Sequence, residues 1–65
     1  MKIKLNGADR EIAEGTSVLT LLESLGVNPK LCVVEINRDI VKKDYQTRHF
    51  KEGDEVEIVT LVGGG

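Results

Sequence analysis

The sequence predicts an α+β domain in which one amphipathic helix lies on a mixed sheet of four or five strands. Three observations predict it. Segments near both ends, "KIKL" and "EVEIVTL", alternate apolar and polar residues, the period of a half-buried strand. Between them "TSVLTLLESLG" switches to the period of a helix. The 65 residues leave room for one domain only, and a chain of this size buries roughly 60% of its unfolded surface, so its core is thin.

The first strand puts Ile3 and Leu5 on one face and Lys2 and Lys4 on the other. Asn6-Gly7 follows, a pair suited to a type I′ hairpin turn because both central positions need φ > 0. "ADREIAEG" then reads as the returning strand, with Ile12 inward and Gly15 closing the hairpin. Val18, Leu21, Leu22 and Leu25 make one helical stripe, capped at its start by Thr16 or Ser17. Gly26 suits the left-handed position after the last turn, and Pro29 prevents continuation. "LCVVEIN" is a strand with Val34 and Ile36 inward, and "NRD" turns it into a short strand around Ile40 and Val41. Residues 42–52 show no clean period and read as a loop with a helical turn near Tyr45. "KEGDE" is a turn, and the last strand sets Val56 and Ile58 against Glu55 and Glu57. First and last strands are expected to pair in parallel at the sheet centre, with the helix in the crossover between them. That is a β-grasp arrangement.

Composition excludes several functions. Acids and bases are interspersed with a net charge of −2, and only Tyr45 and Phe50 are aromatic, so neither a basic nucleic-acid footprint nor a base-stacking platform is present. One cysteine excludes an internal disulfide and a cysteine-cluster metal site. Apolar runs of at most four residues do not span a membrane. The lone thiol and the lack of a leader segment point to a reducing, cytoplasmic setting. Nothing here suggests a free-standing enzyme.

The last strand carries a second signal. Val59 and Leu61 are out of phase with Val56 and Ile58, so they look away from the helix, and Val33 is positioned to join them. Single exposed aliphatics are ordinary; the sharper reading is a partner-binding patch of Val59, Leu61 and Val62 on the uncovered face. Beyond it come Gly63, Gly64 and Gly65. Glycine makes up roughly 7% of average sequence, so three in succession are expected by chance roughly a few times in ten thousand. A cloning scar or a frayed end would also produce them. The functional reading treats residues 1–61 as the domain and 62–65 as a flexible arm. Extended, the arm reaches roughly 13 Å at about 3.3 Å per residue, and without side chains it threads a tunnel that bulkier residues would block. Its tip is an α-carboxylate, a poor electrophile that adenylation by ATP would activate. The chain has no phosphate-binding loop of its own, so the nucleotide belongs to a partner.

"NG" followed by "GTSVLTLL", "EINRDIV" in mid-chain and "EGDEVEIVTLVGGG" at the end resemble the sulfur carrier proteins of thiamine biosynthesis, the ThiS family, over essentially the whole chain. The diglycine end alone is common to all ubiquitin-like modifiers; its combination with the other segments in so short a chain carries the resemblance. The resemblance implies a carrier that binds no cofactor. An adenylating, E1-like enzyme would convert the Gly65 carboxylate to an acyl-adenylate. A persulfide sulfur mobilised by an enzyme such as a cysteine desulfurase would replace AMP, leaving a thiocarboxylate that gives its sulfur to thiazole synthase. Gly63 and Gly64 would serve access. Where relatives commonly have Pro-Arg and a later aromatic after the fourth strand, this chain has Lys42-Lys43-Asp44-Tyr45, so loop contacts with partners do not carry over. The small subunit of molybdopterin synthase, a ubiquitin-like conjugation tag and an inert interaction module are the alternatives.

Three further features need a reading. Cys32 is expected to be a small buried hydrophobe rather than a relay thiol. His49 lacks partner spacing for a triad or a metal site and reads as loop surface. Glu52, Asp54, Glu55 and Glu57 form an acidic stretch, either a solvated face or a surface that steers docking.

Overall fold

The structure, a computed structural model, describes residues 1–61. These form strands β1 (Lys2–Leu5) and β2 (Ala8–Glu11), helix α1 (Val18–Leu25), then β3 (Cys32–Ile36), β4 (Asp39–Val41) and β5 (Glu55–Thr60). Among the described residues the sheet has five strands in the order β2-β1-β5-β3-β4. β1 and β5 run parallel and the remaining neighbours antiparallel. This is the mixed β-grasp sheet the sequence predicts, with its last strand at the centre.

Local chemistry sets the boundaries. Asn6 and Gly7 have φ of 49° and 86°, as the two-residue hairpin requires. Of the two cap candidates Ser17 is the one used: its Oγ accepts the Thr20 N–H at 3.1 Å. Gly26 ends α1 at φ 71°, a conformation glycine adopts without the Cβ penalty. Pro29 opens a short 3₁₀ turn through Leu31, which periodicity did not signal.

The core lies between α1 and one face of the sheet. Val18, Leu21 and Leu22 from the helix meet Ile3, Val34, Ile36, Val41 and Val56, all buried, with Cys32 at the margin. Full burial of such a side chain contributes about 1.5–3 kcal/mol, so this single layer supplies most of the driving force.

The ends of two strands differ from expectation. Ile12 lies one residue beyond the end of β2 and is half-buried at the core margin, where its N–H donates to the Met1 carbonyl at 2.8 Å. The expected helical turn near Tyr45 is present, Asp44 O accepting from Thr47 N at 3.1 Å and Arg48 N at 2.8 Å. Leu61 lies just past β5, although its N–H still donates to Leu31 O at 2.8 Å and extends the ladder by one rung. The loop also places Phe50 in the core, 5% exposed, and the sequence pattern gave no sign of that.

No helix among the described residues is long and apolar enough to cross a membrane.

Candidate partner-binding site

The side chains of β5 separate by parity. Val56 is fully buried and Ile58 half-buried under the helix, whereas Glu55, Glu57 and Val59 face away from it. Val59 is 57% exposed and Leu61 62% exposed. Val33 stands directly opposite Val59 in the β3–β5 register and is half-buried, so it joins the patch as expected. The structure adds Ile40, 56% exposed and opposite Glu35 on the same uncovered face. Ile40 lies in a strand of three residues, too short for a period to assign it a face from the sequence. Val62, Gly63, Gly64 and Gly65 lie outside the described residues.

Two asparagine side chains hold β5 in register. Asn6 Oδ1 accepts the Ile58 N–H at 2.8 Å while its Nδ2 donates to Ile58 O at 3.3 Å. The side chain thus continues the β1–β5 ladder after β1 has turned away. On the other side Asn37 Oδ1 accepts the Glu55 N–H at 3.0 Å, and its main-chain N–H donates to Glu55 O at 2.7 Å. Both residues sit at positive φ in tight turns, a conformation asparagine tolerates better than most residues. β5 is therefore fixed from both neighbours.

The acidic stretch divides into two roles. Asp54 is buried and structural: its carboxylate accepts Asn37 Nδ2 at 3.0 Å and the Lys51 N–H at 2.8 Å. Glu52 Oε1 accepts the Lys2 N–H at 2.9 Å. Glu55 and Glu57 remain on the uncovered face.

The other candidates stay bland. Cys32 is buried, and burial pushes its thiol above the ordinary 9.0, away from the thiolate a relay would need. His49 is exposed and bridges Ser17 across the loop. No group of three metal-ligating side chains occurs among the described residues. An open groove of about 680 Å³ between α1 and the 42–47 loop is lined by Leu19, Cys32, Lys42 and Tyr45. It contains no nucleophile–base pair.

A β-grasp domain with an exposed aliphatic patch near the end of its central strand fits the following relationships. Residues 3–65 match the model of the ThiS family. The sulfur carrier protein ThiS of Bacillus subtilis is 35% identical, the match covering 97% of this chain and 98% of that one. A thiazole synthase of Paramagnetospirillum magneticum is 39% identical over the whole of this chain, which spans only a fifth of that protein's length. The crystal structure of the thiamine biosynthesis protein ThiS from Geobacter metallireducens superposes with a TM-score of 0.82 at 30% identity, covering both chains completely. The chain belongs to the ThiS family.

Proposed function

We propose that this chain carries sulfur for thiazole formation on the carboxylate of Gly65, and that the patch formed by Val59, Leu61 and Val62 docks the enzymes that load and unload it. As a member of the ThiS family it is a sulfur carrier of thiamine biosynthesis, a protein acted upon rather than a catalyst.

The chemistry needs little from the carrier. A Gly65 carboxylate oxygen attacks the α-phosphorus of ATP held by an adenylating enzyme, and pyrophosphate leaves. A persulfide then attacks the acyl carbon, AMP leaves, and a thiol cleaves the resulting acyl disulfide to release the thiocarboxylate. Thiazole synthase takes that sulfur. ATP and the persulfide, supplied by an enzyme such as a cysteine desulfurase, belong to the partners, and the setting is the reducing cytoplasm. Gly63 and Gly64 supply a slender path for the acyl carbon into an enclosed site. The observation that carries this reading is the exposure of Val59 on β5 and of Leu61 just past its end, next to residues 62–65 in the sequence. The relatives named thiazole synthase, in which a unit like this chain makes up a fifth of the protein, support the choice of sulfur acceptor.

Intact mass tests it. After incubation with ATP, the adenylating enzyme and a cysteine-derived persulfide source, one oxygen should be replaced by sulfur. Isopeptide adducts on other proteins would favour a conjugation tag instead, and an unchanged mass would end the carrier reading.

A further inference from the structure

The uncovered face is not uniformly charged. Its two strand lysines stand opposite acids: Lys2 faces Glu11, and Lys4 lies between Asp9 and Glu55. One rung further along β5 the pattern breaks, because Glu57 stands directly opposite Glu35 on β3. Neither takes part in an ion pair among the described residues. Glu35 has Ile40 on its other side, and the next rung is the Val33–Val59 pair. Two like charges opposite one another in a sheet are destabilising, so the free domain keeps an uncompensated acidic pair bordered by exposed aliphatics.

We infer that Glu35 and Glu57 are the electrostatic half of the docking surface and that they receive a cationic side chain, arginine or lysine, from the adenylating enzyme. This rests on the proposed carrier reading. Charge complementarity identifies the occupant. The chain ends in an α-carboxylate four residues after Leu61, and an adenylating enzyme that receives this carboxylate together with ATP needs positive potential to hold them. The same field acts on Glu35 and Glu57, and the partner's cation relieves their mutual repulsion when the Val33–Val59–Leu61 patch is covered. An adverse contact in the free protein thus becomes a favourable one in the complex. Such charges act chiefly on encounter rate and therefore weaken with salt.

The experiment compares wild type with Glu35→Gln, Glu57→Gln, the double variant and, as a control on the same face, Glu11→Gln. Each isolated chain is melted, and each is loaded by the adenylating enzyme with ATP and a persulfide donor at low and high salt. Both single variants should melt above wild type, with the double gaining no more than either single, since removing one charge already ends the repulsion. Loading of the double variant should fall about tenfold at low salt and converge on wild type at high salt, while Glu11→Gln melts no higher than wild type and loads at nearly the wild-type rate. Variants that melt at or below wild type overturn the inference. So does loading equal to wild type at every salt concentration, and in that case the carrier reading stands. A wild-type chain that is never loaded removes both.

Discussion

On the helix side of the sheet Ile3, Val34, Ile36 and Val56 are at most 1% exposed, whereas on the opposite side Val59 and Leu61 are 57% and 62% exposed. The residue types are nearly the same, and Val56 and Val59 belong to one strand three positions apart. Their fates differ through the alternation of a pleated strand and through helix α1, which covers one face of the sheet. In the strands the covered face carries only Arg10 and Asp39, both on edge strands, while the other carries Lys2, Lys4, Asp9, Glu11, Glu35, Glu55 and Glu57. Apolar content therefore reads as stability on one side and as recognition on the other. The side on which an aliphatic stands tells more than its hydrophobicity.

Mutations sharpen that contrast, and their effects on stability should decline from the covered face outward. Leu22→Ala removes a fully buried helix residue and should cost about 2–5 kcal/mol in chemical denaturation. A smaller loss would mean that α1 does not organise the core. Asn6→Gly keeps the positive φ but deletes both side-chain hydrogen bonds to Ile58. It should cost about 1–2 kcal/mol, detected as a lower denaturation midpoint and faster amide exchange at Ile58.

Cys32 gives a weaker, pH-dependent effect. Burial raises its folded-state pKa above the ordinary 9.0. The unfolded chain therefore loses the thiol proton first as pH rises. The associated stability is complete below pH 9.0 and is lost as pH climbs through the folded-state value. Tyr45, raised by burial and by the charge of Cys32, acts in the same direction. In Cys32→Ala the melting temperature should fall less steeply with alkaline pH than in wild type; an identical slope would remove Cys32 as its source. Leu61→Glu should alter stability least, within about 0.5 kcal/mol, and yet reduce sulfur loading about tenfold, equivalent to about 1.4 kcal/mol. Unchanged loading would remove the patch from the account.

Much of this was legible because it is local. The Val18–Leu21–Leu22–Leu25 stripe, the Asn6-Gly7 turn, Gly26 and the alternation of β5 are each fixed by a few neighbouring residues. What escaped depends on distant partners. Phe50 sits in an aperiodic loop, so no pattern announced its burial; only the closure of that loop over α1, with Val18 N donating to Arg48 O at 2.9 Å, puts it there. Asp54 looked like one of four surface acids because Asn37, its hydrogen-bond partner, is 17 residues away. The opposition of Glu35 and Glu57 likewise needs the register of two strands that are remote in sequence. In the candidate site Val59 and Leu61 were legible from phase and Ile40 was not, since three residues define no period. Gly63, Gly64 and Gly65 lie outside the described residues, and their reading as an arm rests on the sequence alone.

The central claim is that folding and sulfur carriage occupy separate parts of the chain, and deletion of Gly65 tests it most directly. Full-length and shortened chains would be melted side by side, then incubated with ATP, the adenylating enzyme and a persulfide donor, and weighed intact. The account predicts coincident melting curves, sulfur in place of one oxygen on the full-length chain, and none on the shortened one. Equal loading of both chains, or a shortened chain that melts well below its parent, would contradict it.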